Sequence, residues 1–255
     1  MMIMAVAIIG YGRMGRAVES LAHTQGIGIA SVIHPSHADA RYRSITEESL
    51  RNADVAIDFT SPGSVVGNIR TLAALRRNIV VGTTGWYDQL PDVRAAVESS
   101  GIGLVYGPNF SIGANVFFEV VRRASSLMNR FQSYDPFVYE MHHNQKTDAP
   151  GGTARMLGEI VVGNINRKSR LAIDRISGRR IEPDELHVGS IRVGHMPGTH
   201  VVGFDSESDT IELRHTVRSR AGFAEGALFA ASWVLGRSGV YTFGEAVSEA
   251  SGDRQ

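Results

Sequence analysis

The beginning of the chain combines a short apolar run with a glycine-rich turn. Residues Met4 to Ile9 are continuously apolar, as expected for a central strand of a parallel sheet covered on both faces. The turn Gly10-Tyr11-Gly12-Arg13-Met14-Gly15 follows directly, and a helical pattern extends from Arg13 to Thr24. The pattern G-x-G-x-x-G is informative only in this order of strand, turn and helix. The segment therefore predicts an open α/β sheet.

Each glycine of the turn has its own role in a dinucleotide-binding loop. Gly10 permits the tight turn, Gly12 lets backbone amides approach a pyrophosphate, and Gly15 lets the helix pack on the strand. The helix N-terminus adds partial positive charge for the phosphates. We predict that the cofactor contacts all six residues of the turn: Gly10, Tyr11, Gly12, Arg13, Met14 and Gly15. The alternative is a glycine turn in another kind of open sheet.

Strand-like and helix-like segments alternate through the first half. The strands are predicted at Ile27–Ile33, Val55–Phe59, Ile79–Val81 and Gly103–Tyr106, and Pro62–Arg77 is predicted as a helix. This alternation predicts a Rossmann-like, doubly wound parallel sheet, whose ligands bind at the carboxyl ends of the strands. Loops at that edge are expected to hold the nicotinamide and its ribose, through Gly82, Thr83, Thr84, Pro108, Asn109, Phe110 and Ser111. Simple turn chemistry is the alternative explanation for these loops.

The residue expected to meet the adenine ribose lies about twenty positions after the glycine turn. An acidic residue there favours NADH, because it repels the 2′-phosphate of NADPH. This chain has His34 instead, followed by Ser36, with Arg41 and Arg43 close in sequence. Such side chains can donate hydrogen bonds to a phosphate, so the sequence favours NADPH. The alternatives are that His34 only lines the edge of the adenine and that both cofactors are used.

The alternation stops after Gly113. We predict a helix from Ala114 to about Arg130, a strand that ends at two histidines, and a helix over Thr153–Val162. The polar stretch from Asn164 to Glu185 is interpreted as a loop. Three more strands, a mostly antiparallel sheet, are predicted at Val188–Val193, His200–Phe204 and Thr210–Val217. A last helix, Phe223–Leu235, is expected to pack back on the first domain.

The fifteen residues Glu140–Ala154, which end in the first turn of the Thr153 helix, concentrate proton carriers and anion-binding groups. Its candidate site residues are His142, His143, Lys146, Gly152 and Thr153. The amides at the helix start, the Thr153 hydroxyl and the helix dipole suit a carboxylate. Lys146 can donate a proton, and histidine exchanges protons near neutral pH. Glu140 and Asp148 are expected to orient these groups, to cap the turn or to pair with Lys146, and not to do chemistry.

Composition narrows the classes of partner. Lys+Arg and Asp+Glu both number 26, so no broad positive charge favours nucleic acid, and there is no cysteine. No apolar run approaches the roughly 20 residues of a membrane span, and the apolar start lacks the preceding basic residue of a signal peptide. The adjacent histidines point to opposite sides of a strand, so no metal site is predicted. We expect a cytoplasmic protein.

The stretch from Glu140 to Ala154 resembles the signature E-x-H-H-x-x-K-x-D-A-P-S-G-T-A of the 4-hydroxy-tetrahydrodipicolinate reductase (dihydrodipicolinate reductase) family. Weaker similarity covers most of the chain, at Gly10–Gly15, Val55–Pro62, Val81–Trp86, Asn109–Val116 and Ser219–Ala227. The resemblance implies NAD(P)H-dependent reduction of a small cyclic dicarboxylate to tetrahydrodipicolinate with loss of water, in diaminopimelate and lysine biosynthesis. It also implies a homotetramer.

The same resemblance implies domains and residue roles. Residues 1–112 and 219–255 would form the dinucleotide-binding domain, and residues 113–218 a mixed α/β (α+β) domain for substrate binding and oligomerisation. His142 and Lys146 would be catalytic, with Lys146 the favoured proton donor. The substrate carboxylates would be held by His143, Lys146, Gly152 and Thr153. Three features depart from the family pattern: Gly151 in place of serine, a cofactor turn one residue shorter than in many members, and His34 in place of an acid.

Two other functions fit parts of the sequence. One is a different Rossmann-type reductase or dehydrogenase that acts on an imine or an oxo acid. The other is a regulator that senses NAD(P) without chemistry. A regulator would need a DNA- or partner-binding module, and the zero net charge and the lack of an evident helix-turn-helix pattern disfavour it.

Overall fold

The computed structural model describes residues 4–173 and 176–252. The chain divides into two compact units. The first comprises the residues up to Asn115 together with those from Arg220 onward, and the second is Val116–Ser219. Across the two described ranges, no helix has both the length and the apolar character needed to cross a membrane.

Eleven strands, seven α-helices and a short 3-10 helix make up the described parts of the chain. In chain order they are β1 (Ala5–Ile9), α1 (Arg13–Gln25), β2 (Gly28–Ile33), β3 (Val55–Asp58), α2 (Pro62–Ala74), β4 (Asn78–Val81), the 3-10 helix (Tyr87–Gln89), α3 (Leu90–Ser100), β5 (Gly103–Tyr106), α4 (Ile112–Met128), β6 (Asp135–His142), α5 (Gly152–Asn164), β7 (Arg170–Ile173), β8 (Glu185–Arg192), β9 (Thr199–Asp205), β10 (Thr210–Thr216), α6 (Ala221–Trp233), β11 (Gly239–Thr242) and α7 (Phe243–Ala250).

The first unit contains a six-stranded parallel sheet in the order β11-β5-β4-β3-β1-β2. Residues of its central strands, such as Val6, Ile57 and Val80, are fully buried. Continuous apolar sequence suits such strands because helices cover both faces of the sheet. The predicted Rossmann-like, doubly wound sheet is confirmed.

The helix predicted at Phe223–Leu235 corresponds to α6, which packs against α1 within the first unit. Its close packing depends on Gly226, where a Cβ would lie 1.7 Å from the carbonyl oxygen of Phe110. The prediction that this is the last helix is wrong, because β11 and α7 follow it. A capping box between Thr242 and Glu245 begins α7.

The second unit contains a five-stranded sheet in the order β10-β9-β6-β8-β7. Strand β9 is antiparallel to β6 and β10, whereas β8 is parallel to β6 and β7. The prediction of a mostly antiparallel sheet is therefore wrong, and the sheet is mixed. Helix α5 packs against β6, β7 and β8. It is the crossover that joins the parallel strands β6 and β7.

Strand β7 lies inside the stretch that was predicted as a loop from Asn164 to Glu185. The strand is only four residues long, lies at the sheet edge and starts with the exposed Arg170, so its three apolar residues do not stand out within a polar stretch. The buried Lys168 fixes this segment: its Nζ donates to the carbonyl oxygens of Pro183 at 3.0 Å and Glu185 at 2.8 Å. The same Nζ lies 2.6 Å from Oδ1 of Asp135 at the start of β6, so the partners of the buried ammonium are distant in sequence and leave no local signal.

Candidate active site

Strand pairing in the second unit places five polar side chains on one face of its sheet. Glu140 and His142 are two residues apart on β6, so both lie on the same face. Glu140 pairs in register with Ser190 of β8 and His200 of β9, and His142 pairs with Arg192 of β8. Neither Arg192 nor His200 was singled out by the sequence analysis. The available signals were their positions in the predicted strands, with Arg192 near the end of Val188–Val193 and His200 at the start of His200–Phe204.

Glu140 is the buried centre of this group. Its Oε1 accepts hydrogen bonds from the Gly151 amide at 3.0 Å, Arg192 Nη2 at 2.8 Å and Ser190 Oγ at 3.2 Å. Burial alone would raise the pKa of Glu140. The contact to His200, which is long at 3.6 Å, and the shorter bonds from Arg192 and Gly151 outweigh burial and lower this pKa to about 2. Glu140 is therefore an anion at any physiological pH.

His142 lies beside the other oxygen of Glu140. Its Nε2 is 3.4 Å from Oε2 of the carboxylate. Burial lowers the pKa of His142, Glu140 opposes that shift, and the nearby His200, Lys146 and Arg192 reinforce it. The net shift is downward, so His142 is a neutral imidazole at neutral pH.

Gly198 presses against the edge of the His142 ring. Its φ is +149°, and a Cβ at this position would come within 2.8 Å of the His142 Cε1 atom. Any side chain here would move the imidazole. The adjacent His143 ring is nearly perpendicular to that of His142, at 86°, with ring centroids 6.4 Å apart.

The loop after β6 holds Lys146 through two partners. Its Nζ donates to Asp148 Oδ1 at 2.6 Å, and this bond lowers the pKa of Asp148. The guanidinium of Arg192 donates to the carbonyl oxygens of Lys146 and Asp148, so it fixes the backbone on both sides of the lysine. The predicted pairing of Lys146 with Asp148 is what the structure contains.

Helix α5 begins at Gly152, with Gly151 as its N-cap and no side-chain cap. The first intrahelical bond runs from the Arg155 amide to the Gly151 carbonyl oxygen at 3.1 Å. The amides of Gly152 and Thr153 precede that bond, and helix geometry gives them no intrahelical acceptor. These two N–H groups, beside Lys146, have the arrangement that an anion-binding helix start requires.

Gly151, the departure from the family signature, adjoins both ionic groups of the site. A Cβ there would lie 2.9 Å from Cε of Lys146 and 3.0 Å from Oε2 of Glu140. The φ of −71° is ordinary for any residue. Lys146, Glu140 and the start of α5 thus share one small region of the second unit, which the sequence analysis predicted from their spacing.

Within the described ranges, Glu140, His142 and His200 could together hold a metal ion. Each offers one ligand atom, and these atoms lie within 4.8 Å of one another. The Arg192 guanidinium is 2.8 Å from Glu140, and its charge opposes a second cation. The chemistry of this group therefore favours shared protons over a metal. This set of three differs from the adjacent pair His142 and His143, and only the pairing of β6 with β9 brings it together.

The glycine turn of the first unit has the geometry that a bound pyrophosphate requires. Gly10 has φ +86°, and a Cβ there would lie 2.4 Å from the Phe59 carbonyl oxygen. A Cβ on Gly15 would lie 2.2 Å from the Gly10 carbonyl oxygen. Around Gly12, in contrast, no atom lies within 4 Å of a would-be Cβ. The open side of the turn is therefore at Gly12, at the N-cap of α1.

Tyr11 and His34 make hydrogen bonds next to the turn, Tyr11 to helix α1 and His34 to the loop after β2. The Tyr11 hydroxyl donates to Glu19, and this bond is the main reason that the pKa of Tyr11 rises to about 12. The Nδ1 of His34 accepts from the amides of Ser36 at 3.2 Å and His37 at 2.9 Å. Because Nδ1 accepts, the ring proton of neutral His34 is on Nε2, where it can be donated to a ligand.

Asp58, which the sequence analysis did not single out, organises the carboxyl edge of this sheet. Its carboxylate accepts from the Thr60 amide at 2.9 Å, Thr83 Oγ1 at 3.1 Å and Asn68 Nδ2 at 2.8 Å. Burial raises the pKa of Asp58, and the hydrogen bonds only partly offset that shift. The Thr83 hydroxyl is thus used inside the protein, whereas Thr84 is exposed.

In the other predicted cofactor loop, residues 108–111, some side chains are likewise used inside the protein and others are exposed. Phe110 is buried against Phe243, with ring centroids 4.5 Å apart, and Ser111 Oγ accepts from the Ala114 amide at the start of α4. Pro108 is exposed and Asn109 is partly exposed. Asn109 Oδ1 also accepts from the Ser111 amide at 2.9 Å. The loop therefore offers Pro108, the Asn109 side-chain NH2 and backbone atoms to a ligand, while Phe110, Ser111 and Asn109 Oδ1 support its shape.

Comparison with known proteins gives the family. Sequence models of dihydrodipicolinate reductase match nearly the whole chain, the N-terminal model over residues 4–110 and the C-terminal model over residues 113–247. The chain belongs to the dihydrodipicolinate reductase family. The resemblance inferred from the Glu140–Ala154 signature is confirmed.

Relatives of the reductase family match at similar length. The 4-hydroxy-tetrahydrodipicolinate reductase of Christiangramia forsetii is 32% identical over 96% of this chain and 98% of its own. The enzyme of Anaeromyxobacter dehalogenans is 36% identical over 93% of this chain and 84% of its own. The dipicolinate-bound dihydrodipicolinate reductase of Paenisporosarcina sp. TG-14 superposes with TM-score 0.77 at 24% identity, over 96% of this chain and 99% of that one, and shares the fold.

Proposed function

We propose that this chain is an oxidoreductase that uses NAD(P)H to reduce 4-hydroxy-tetrahydrodipicolinate to tetrahydrodipicolinate, with loss of water, in diaminopimelate and lysine biosynthesis. The observation that carries the proposal is the grouping of Lys146, His142 and the open start of α5 in the second unit. The carboxylates of a dicarboxylate substrate need N–H donors. When the substrate accepts a hydride, it gains negative charge that a proton must neutralise.

The substrate carboxylates are assigned to the start of α5 and to the cationic side chain beside it. The amides of Gly152 and Thr153 and the Thr153 hydroxyl donate to one carboxylate, and the helix dipole favours its charge. Lys146 and His143 complete the substrate-binding set. Dipicolinate, the molecule bound in the Paenisporosarcina relative, supports a small cyclic dicarboxylate as the ligand.

Lys146 is assigned as the proton donor and His142 as its catalytic partner. Since the pKa of His142 is lowered, protonated His142 is scarce at neutral pH. The Nζ of Lys146 is an ammonium that already donates to Asp148 and can donate instead to the substrate. General-acid help of this kind accelerates a reaction on the order of a hundred- to ten-thousand-fold.

The glycine turn fits a dinucleotide, because space is open at Gly12 and closed at Gly10 and Gly15. We assign the pyrophosphate to this turn, and the nicotinamide side to Gly82, Thr84, Pro108 and Asn109, with Thr83, Phe110 and Ser111 supporting the loops. The dihydronicotinamide supplies the hydride. His34 Nε2 can donate to a 2′-phosphate, which supports NADPH as the preferred cofactor.

The assembly and location are proposed as a homotetramer in the cytoplasm. Several apolar side chains of the second unit are exposed on α4 and β10, a feature that marks association surfaces: Val116, Val120, Leu127 and Ile211. Sedimentation velocity tests the assembly. A monomer across the micromolar concentration range would reject it.

The activity is tested by coupling the chain to the synthase that makes 4-hydroxy-tetrahydrodipicolinate and following the loss of NAD(P)H absorbance. We expect turnover that depends on the synthase product, and inhibition by dipicolinate. Turnover with other imines or oxo acids and none with this substrate would instead favour a different reductase. Cofactor binding without any turnover would favour a regulator.

A further inference from the structure

Two buried polar groups beside His142 make no hydrogen bond of ordinary geometry with the described residues. They are the Oε2 atom of Glu140 and the ring of His200, at both of its nitrogens. The His200 side chain is 5% exposed and that of Glu140 is fully buried. Such groups are costly to bury, so their retention points to a role beyond packing.

The geometry around Oε2 is specific. His142 Nε2 lies 3.4 Å and His200 Nε2 lies 3.6 Å from this one oxygen. The two rings are 5.3 Å apart and steeply inclined, at 71°. A carboxylate oxygen only accepts, and Oε1 already has three donors. The arrangement therefore favours a proton on Nε2 of each imidazole.

The geometry points to Glu140 and His200 as positioning residues for the reaction of the proposed function. We propose that they hold His142 as a neutral imidazole with its proton on Nε2, so that Nδ1 keeps its lone pair and accepts a hydrogen bond from the substrate. His200 acts through Glu140, because its Nε2 fixes the direction of Oε2.

Charges on every neighbouring element are consistent with this state. His142 is faced by Glu140 on β6, Arg192 on β8 and His200 on β9, and by Lys146 with its partner Asp148 in the loop after β6. The ring of His143 is 6.4 Å away. The two cations oppose protonation of Nδ1, while the carboxylate stabilises the proton on Nε2.

A metal is the competing explanation. Ligands of a tetrahedral zinc ion are about 3.4 Å apart, close to the spacing observed here. Arg192 and Lys146, however, already supply positive charge beside the single available carboxylate. Zinc would also occupy the nitrogens whose protons the proposal requires, so the two explanations exclude each other.

The direct test is the protonation state of the wild-type protein without substrate. Protein labelled with ¹⁵N-histidine is studied by long-range ¹H–¹⁵N NMR at neutral pH, with the His142 signals assigned by their loss in His142→Gln. We expect a protonated Nε2 and an unprotonated Nδ1. A ring protonated on Nδ1 alone, or on both nitrogens, overturns the proposal.

Variants test the route through Glu140. In Glu140→Gln we expect a mixed or reversed His142 tautomer and a kcat lower by roughly tenfold or more, with KM within about threefold. The acid limb of the kcat/KM profile should move to lower pH, because the carboxylate that raises the pKa of His142 is gone. An unmoved limb and an unchanged tautomer contradict the proposal.

Variants of the two buried histidines separate positioning from packing. His200→Gln keeps an N–H donor near Oε2 and should retain most of kcat, whereas His200→Phe keeps the ring volume and should resemble Glu140→Gln. The matched control is His215→Phe, since His215 pairs with His200 but lies on β10, which β9 separates from the strand of Glu140. Equal losses in His200→Phe and His215→Phe would show a packing effect and reject the assignment.

Two further outcomes complete the test. One equivalent of zinc bound by the wild type and lost in Glu140→Gln, measured by titration with the metal alone, would overturn the proposal. Failure of the proposed function is seen separately, as the expected tautomer with no turnover of the synthase product. Failure of the inference alone is seen as normal turnover with the wrong tautomer.

Discussion

The two units each contain a fully buried carboxylate, and the pKa values of these groups shift in opposite directions. Asp58 in the first unit has only neutral donors, and burial raises its pKa. For Glu140 in the second unit, burial is outweighed by His200, Arg192 and the Gly151 amide, and the pKa falls to about 2. The difference shows that the first unit builds its ligand edge from backbone shape, whereas the second builds its site from charge.

Removing the charge that performs the chemistry should have the largest effect. Lys146→Ala is expected to lower kcat by about a hundred- to ten-thousand-fold, measured by steady-state kinetics, while the Kd for NADPH stays unchanged in fluorescence titration. Lys146→Arg is the matched control, because it keeps the positive charge but is a poor acid. It should retain KM while kcat stays low, and a wild-type kcat in either variant removes Lys146 from the mechanism.

In the first unit, the corresponding test is to add a methyl group at glycines of the cofactor turn. Gly10→Ala meets the Phe59 carbonyl oxygen at 2.4 Å in a backbone of positive φ, so we expect a loss of about 2–4 kcal/mol in the free energy of unfolding. Gly12→Ala has open space and should leave this free energy unchanged while it weakens cofactor binding at least tenfold. Equal stability losses would remove the distinction between shape and ligand access.

The pH dependence of stability should distinguish the two buried carboxylates, Glu140 and Asp58. The folded-state pKa of Glu140 is lowered from 4.5 to about 2, so its stabilisation is present above pH 4.5 and is lost as pH falls towards 2. This amounts to up to about 3 kcal/mol. Asp58 has a raised pKa and so stabilises the protein below its ordinary pKa, a contribution lost as pH rises. In urea unfolding, Glu140→Gln should flatten the acid limb and Asp58→Asn should steepen it.

The smallest expected effect concerns cofactor choice. His34→Asp places an acid where His34 Nε2 would donate to a 2′-phosphate, so the ratio of kcat/KM for NADPH over NADH should fall about tenfold. The reductase activity with NADH should persist. An unchanged ratio, or a wild type that strongly prefers NADH, would show that His34 does not meet the ribose.

Local pattern was sufficient for much of this molecule. The turn at Gly10, the signature from Glu140 and the buried strands are short-range features, and their predictions agree with the structure. The capping box of Thr242 and Glu245 is also a local sequence pattern, although no helix was predicted from it. Arg192 and His200 were not predictable in the same way, because only the register of β8 and β9 against β6 brings them to Glu140. The edge strand β7 was missed because it is only four residues long and is flanked by polar residues such as Lys168, a residue type typical of loops.

The bond between the Gly151 amide and Glu140 has a consequence for adaptation of this enzyme. The Glu140 side chain both binds the backbone at the start of α5 and faces the His142 imidazole. A change that reshapes the start of α5 for a bulkier carboxylate substrate therefore also disturbs proton transfer. Laboratory evolution towards new substrates should therefore find paired replacements at positions 140 and 151 more readily than single ones.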